Sequence, residues 1–254
     1  MKEFTVDKLN VKVFENRRLM GAAAARDIAA QLKELAARRE ELSVIFAAAP
    51  SQNEVLAALA ADTAIPWHKV NAFHMDEYIG LSPDAPQGFG NFLRARLFDL
   101  VPFRSVHLID MTAKDPEAEA ERYARLLQAQ PIDVVVMGIG ENGHIAFNDP
   151  PVADFRDPKT VKAVKLDEVC RRQQVNDGCF AALSDVPTHA LTLTVPMLVS
   201  APRIFCIVPA ATKANAVFRT LNGEISERCP ASVLRRHEHA VLYLDENSSK
   251  ELSL

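Results

Sequence analysis

Four short stretches carry most of the side chains able to do chemistry: His74–Tyr78, Gly138–Pro150, Ala49–Asn53 and Pro209–Lys213. Asp76 lies in the first. A carboxylate acts as a general base only where partial burial raises its pKa; otherwise this one is a helix N-cap or a surface acid. His144, in the second, follows a glycine turn. A neutral imidazole accepts on one nitrogen and donates on the other near pH 7, which suits a proton carrier. The competing reading is a loop histidine bonded to backbone. Asp149, five residues on, is close enough in sequence to orient that ring. Lys213, at the expected start of a helix, is either solvated or positioned to pair with a phosphate. Three of the nine glycines fall within Gly138–Gly143, where tight turns and close ligand approach are possible. This GxGxxG lacks the acid expected about 20 positions on, after a second strand, which argues against a nicotinamide dinucleotide. His237 and His239 have no third ligand nearby and read as structural.

These stretches matter only if a fold gathers them. Arg18–Leu42 reads as a long helix of strong helix formers, with Leu19, Ala23, Ile28, Leu32 and Leu35 on one stripe. Ser43–Ala48 is a continuous apolar run, as expected of a strand buried on both faces. Val70–Met75, Ser105–Ile109, Ile132–Met137, Ala190–Val195, Arg203–Val208 and Ala240–Leu244 read as further strands. Glu54–Ala61, Asn91–Phe98, Asp115–Gln130 and Ala211–Leu221 read as helices. Such alternation implies one mainly parallel, doubly wound α/β sheet with helices on both faces. Ligands collect outside the carboxyl ends of such strands, where all four stretches fall. No repeat or linker divides the chain, so a single domain over residues 1–254 is expected. Asp149–Pro187 is the least regular region and reads as a loop or flap over the site, or as a surface insertion.

Composition narrows the partners. The chain has 254 residues, 48% of them apolar, and 29 basic against 33 acidic side chains for a net charge of −4. That excludes dominant disorder, and the absence of a basic excess argues against nucleic acid. Cys170, Cys179, Cys206 and Cys229 show no CxxC or metal-finger spacing and read as isolated thiols in a reducing compartment. No signal peptide or long apolar run is visible, so a cytoplasmic protein without a membrane partner is expected.

Taken together, FHMDEYIGL (Phe73–Leu81), MGIGENGHIAFNDP (Met137–Pro150), THALTLTVPML and PASVLRRH (Pro230–His237) resemble the glucosamine-6-phosphate deaminase (isomerase) family, which shares its Rossmann-like fold with 6-phosphogluconolactonases. The similarity runs roughly from Val44 to Asp245. Tyr78 and Ile145–Asn148 favour the deaminase branch over the lactonases. The resemblance implies that Asp76 moves a proton between C2 and C1 of the opened sugar, and that His144 opens the ring. It makes Asn142 and Asp149 partners of that histidine, with Asp149 standing where Glu is common. It assigns Lys213 to the phosphate and places Ser51, Gln52 and Gly140 around the substrate. It implies a small sugar phosphate as substrate, no metal or organic cofactor, and members that often form homo-oligomers.

The chain departs from that pattern at the phosphate. The family's Gly/Thr-rich loop becomes Pro50–Ser51–Gln52, and proline has no N–H to donate. The flap arginine falls near Arg171–Gln174; the best register puts Gln174 there, with Arg172 a substitute only after a shift. Asp149 is one methylene short of Glu, which sets its carboxylate back by about 1.5 Å. The expected activity is ring opening and aldose–ketose isomerisation with loss of ammonia, on glucosamine 6-phosphate or an analogue such as galactosamine 6-phosphate. The alternatives are a lactonase-type hydrolase and a non-catalytic sugar-phosphate binder.

Overall fold

The computed structural model describes residues 1–253. In chain order they form β1 (Lys2–Val6), β2 (Leu9–Phe14), α1 (Arg17–Ala36), β3 (Leu42–Phe46), α2 (Asn53–Ala61), β4 (Val70–His74), β5 (Asp76–Tyr78) and α3 (Phe89–Leu93). There follow β6 (Ser105–His107), α4 (Pro116–Gln128), β7 (Val134–Met137), β8 (Val161–Lys165), α5 (Glu168–Asn176), β9 (His189–Leu193), α6 (Val195–Leu198), β10 (Arg203–Val208), α7 (Ala214–Asn222) and β11 (Ala240–Asp245).

The continuous apolar runs became the central strands because both of their faces are covered. The main sheet has eight strands in the order β1-β2-β11-β10-β7-β3-β4-β6, parallel throughout except for β1. Val44, Phe46, Val134, Val136, Phe205 and Ile207 pack towards α1 and α2. Ile45, Val135, Met137, Ile204, Cys206 and Val208 pack towards α4 and α7. Each fully buried aliphatic side chain of this kind is worth about 1.5–3 kcal/mol, so both faces stabilise the sheet. β3 leads on to β4 on one side, whereas β7 leads to β10 on the other. The crevice between the carboxyl ends of β3 and β7 is therefore the topological switch point, where this architecture binds ligands.

The helix expected over Arg18–Leu42 stops at Ala36, because Leu42 is needed in β3 opposite Val70. Asn16 caps its start, with Oδ1 accepting the Leu19 N–H at 3.0 Å. Leu19, expected on the buried stripe, is exposed; Met20, Ala23, Ala24, Ile28 and Leu32 form the inner face. Gly21 lets α2 approach so closely that a Cβ there would lie 2.5 Å from Glu54 Cβ.

Ala190–Val195 was expected in the main sheet. Its residues Ala190–Leu193, with His189 before them, instead form β9, the centre of a separate antiparallel sheet, β5-β9-β8. That sheet takes over the chain where β4 ends: Met75 O accepts the Leu193 N–H at 2.8 Å, and Asp76 then pairs opposite Thr192. The irregular region Asp149–Pro187 contains β8 and α5. The four cysteines are free thiols. Among the described residues no helix is long and apolar enough to cross a membrane.

Candidate active site

One pocket at the switch point is lined from four strand ends. Ala47–Gln52 follow β3, Met75 and Asp76 follow β4, Gly138–Gly140, His144, Ala146 and Phe147 follow β7, and Pro209, Ala210, Thr212 and Lys213 follow β10. Phe89 of α3, Arg17 of α1, and Gln173, Gln174 and Asp177 at and just beyond α5 complete the wall.

Asp76 is neither an N-cap nor a surface acid. It is 7% exposed, and its carboxyl has no hydrogen-bond or ion-pair partner among the described residues. Burial, with Glu77 and Asp149 beside it, pushes that carboxyl well above the usual carboxylate range. Glu77, also buried, is pushed up to about 7. Its carboxylate accepts the N–H groups of Tyr78, Phe89 and Gly90 at 2.8–3.0 Å, so it ties β5 to the start of α3 beneath the pocket.

The β7 loop is built around the His144 ring. Gly140 donates its N–H to His144 O at 2.9 Å, and a Cβ on Gly140 would lie 2.1 Å from the imidazole. Only glycine fits there. Gly143, with φ +89°, turns the chain so that a Cβ would meet Cys229 Sγ at 2.6 Å. His144 Nδ1 lies 2.9 Å from Asn142 Oδ1 and 2.9 Å from Asp149 Oδ1. Asn142 Nδ2 in turn donates to Asp149 Oδ1 at 2.8 Å, and Asn142 Oδ1 also accepts the His144 N–H at 3.0 Å. Two acceptors at Nδ1 require a proton there, which leaves Nε2 as the working nitrogen.

Asp149 thus reaches the imidazole despite its short side chain. The turn between them is unusually tight: Ala146 sits at φ +47°, and the buried Asn148 side chain bonds Ile145 O and Leu193 O. Burial works against the Asp149 charge, but His144, Asn142 and the Cys170 thiol outweigh it and hold the carboxyl below its usual range. His144, Asp149 and Cys170 bring one donor atom each within 4.8 Å. This is the one group of three or more metal-ligating side chains among the described residues, and its imidazole Nδ1 is already engaged.

Pro50 opens a 3₁₀ turn, Pro50–Gln52, that runs into α2. Gln52 is fully buried, and Nε2 donates to Ser51 Oγ and Ile207 O, both at 3.1 Å. Only its amide oxygen is left unpartnered. Lys213 is 6% exposed and has no partner among the described residues; burial lowers its pKa, with Asp177 and Glu141 opposing that shift. Ala210, held at φ +84° by its N–H to the Asp245 carboxylate, turns the chain towards Lys213. Residues in such strained regions cluster at functional sites.

Arg172 is not brought to the pocket. It lies on the outer face of α5, exposed, paired with Glu168 one turn earlier at 2.7 Å. Arg171 is turned away too, donating to Leu183 O and Val186 O. Helical phase decides this, and it is Gln173 and Gln174 that face inward. Arg17, Gln173, Asp177 and Phe89 line the pocket without having been singled out from sequence; none sits in a distinctive motif. His237 Nε2 donates to Ala201 O at 2.8 Å, and its Nδ1 accepts the His239 N–H at 3.2 Å, a structural role.

Residues 15–243 match the family described as glucosamine-6-phosphate isomerases/6-phosphogluconolactonase. The chain is 37% identical over 180 residues to a glucosamine-6-phosphate deaminase of Bacillus cereus, covering 71% of this chain and 67% of that one. It is 40% identical over 182 residues to a protein of the same name from an Exiguobacterium species, covering 72% and 70%. The solved structure of a monomeric glucosamine-6-phosphate deaminase superposes with a TM-score of 0.86 at 28% identity, covering 94% of this chain and 98% of that one. A 6-phosphogluconolactonase from Thermotoga maritima, 19% identical with a TM-score of 0.77 over 94% and 100%, shares the fold. This chain belongs to the glucosamine-6-phosphate isomerase/6-phosphogluconolactonase family, whose chemistry is performed on sugar phosphates.

Proposed function

We propose that the protein is an amino-sugar-phosphate deaminase, converting glucosamine 6-phosphate, or a close analogue such as galactosamine 6-phosphate, to the ketose phosphate and ammonia. One observation carries this reading: an imidazole whose Nδ1 is committed to Asn142 and Asp149 shares a pocket with a buried, unpartnered Asp76.

His144 Nε2 takes the O1 proton and returns a proton to the ring oxygen, opening the pyranose. The imidazolium formed on the way is stabilised by Asp149, the carboxylate held ionised against Nδ1. Asp76, made more basic by burial, removes the C2 proton to give an enolamine and returns it to C1. Water then adds at C2 and ammonia leaves. General acid–base transfer of this kind contributes about 10²–10⁴-fold per positioned group. Lys213 and Ser51 hold the phosphate, and the buried Gln52 amide orients the Ser51 hydroxyl by donating to it.

The test is coupled detection of ammonia and ketose 6-phosphate from glucosamine 6-phosphate and galactosamine 6-phosphate, with 6-phosphogluconolactone as counter-substrate. Equimolar release of both products is expected. Acid release from the lactone without ammonia from either amino sugar would overturn the assignment.

A further inference from the structure

No arginine of the flap lines the pocket, yet a phosphate monoester carries up to two negative charges. Apart from His144, its lining cations are Lys213 and Arg17. Arg17 opens α1, and its guanidinium is locked in place from the side away from its remaining donors. Nε donates to Glu54 Oε1 at 2.6 Å, and Nη2 donates to Glu54 Oε2 at 2.8 Å and to Pro50 O at 3.0 Å. Of the five guanidinium N–H groups, the two on Nη1 have no partner among the described residues. Gly21, one turn along α1, permits the close approach of α2 that sets Glu54 against Arg17. The same contact clamps Arg17 onto Pro50, the residue before Ser51. The Ser51 hydroxyl accepts from Gln52 and keeps its own O–H to donate. The flap side supplies two neutral amides, Gln173 and Gln174, and the acid Asp177.

We propose that Arg17 is the second cation gripping the substrate's terminal phosphate, replacing an arginine from the flap. This rests on the sugar-phosphate reading above. The grip is then built on the rigid α1–α2 contact and exists before any substrate contacts α5. A planar guanidinium fixed through Nε and Nη2 presents its two Nη1 N–H groups to phosphate oxygens at little loss of side-chain freedom.

The experiment compares wild type with Arg17→Ala, Arg17→Lys and Arg96→Gln. Arg96 is the control cation; it lines the neighbouring cleft and stacks on Phe92. With glucosamine 6-phosphate, Arg17→Ala should raise KM about 10- to 100-fold, the loss of a charge-assisted hydrogen bond, with a far smaller change in kcat. Arg17→Lys should fall between, and Arg96→Gln should match wild type. Independently, inorganic phosphate should raise the Tm of wild type but not that of Arg17→Ala, each measured against its own phosphate-free value. A variant that is merely less stable still reports correctly on this scale. An Arg17→Ala enzyme with KM within about twofold of wild type and undiminished phosphate stabilisation overturns the proposal, as does a larger effect at Arg96. If wild type turns over no amino-sugar phosphate, the reaction assignment fails separately. The phosphate arm still decides Arg17: protection lost with Arg17→Ala supports it, and protection retained or absent from wild type refutes it.

Discussion

Asp76→Asn should inactivate the protein and stabilise it, and the stabilisation should depend on pH in one direction. The buried Asp76 carboxyl has no partner among the described residues, and its folded-state pKa lies well above its usual value, through burial first and then Glu77 and Asp149. The unfolded chain releases this proton near about pH 3.9. From there up to the folded pKa, the native protein holds one proton more than the unfolded chain. Stability therefore falls as pH rises, by up to about 1.4 kcal/mol per pH unit. Asparagine does not titrate and is nearly isosteric, so the variant loses that slope. Glu77, pushed up to about 7, adds a slope of the same sign in both proteins, so the slope peculiar to Asp76 is read from the difference between them. Urea unfolding at intervals from about pH 4 to 7 should show two curves that meet at the acid end and diverge, with the variant increasingly the more stable. Exchange of the C2 proton, followed in parallel, should fall by about 10²–10⁴-fold. Parallel unfolding curves, or a variant less stable than wild type at neutral pH, would refute the claim that Asp76 is held with an elevated affinity for its proton.

Asp149→Asn removes the charged acceptor from His144 Nδ1; kcat should drop about 10- to 100-fold, in line with one charge-assisted hydrogen bond, and an unchanged kcat would remove Asp149 from the mechanism. Because the Asp149 pKa is depressed in the fold, its contribution to stability is present above the unfolded value and disappears as pH falls; the deficit of the variant should close below about pH 4. Lys213→Met should raise KM about 10- to 100-fold without loss of stability, since an unpartnered buried ammonium is replaced by an apolar chain of similar size; thermal melts and steady-state kinetics test both halves. Ala210→Gly should stabilise the protein by about 1 kcal/mol, relieving the φ +84° strain less the added freedom of the unfolded chain, and a lower Tm would refute strain at that position.

Much of the sheet was legible because burial on both faces leaves a local signature. LSVIF, VVVM, RIFCIV and AVLYLD are unbroken or nearly unbroken apolar runs, and they became β3, β7, β10 and β11. The two N-terminal strands carry a weaker signature, the alternation of Leu9, Val11 and Val13 with polar residues that suits a hairpin at the sheet edge. β5 was illegible in principle. A three-residue strand has no periodicity, and its partner β9 lies more than a hundred residues on.

The amino-acid order alone determined which side chains are available, since Asp76, Asn142, His144, Asp149 and Lys213 all follow strands whose carboxyl ends must converge. It also determined that Gly140 and Gly143 would have to make a tight turn. Tertiary structure decided what those groups are. Burial of Asp76, the double acceptor on His144 Nδ1 and the inward face of α5 all depend on contacts between segments far apart in the chain. A helix's rotation about its axis turned Arg172 outwards and Gln174 inwards, and no motif registers such a phase. Arg17 shows the same thing from the other side: an ordinary residue at the start of a helix gained its place in the pocket only because Gly21 lets Glu54 come close enough to hold it.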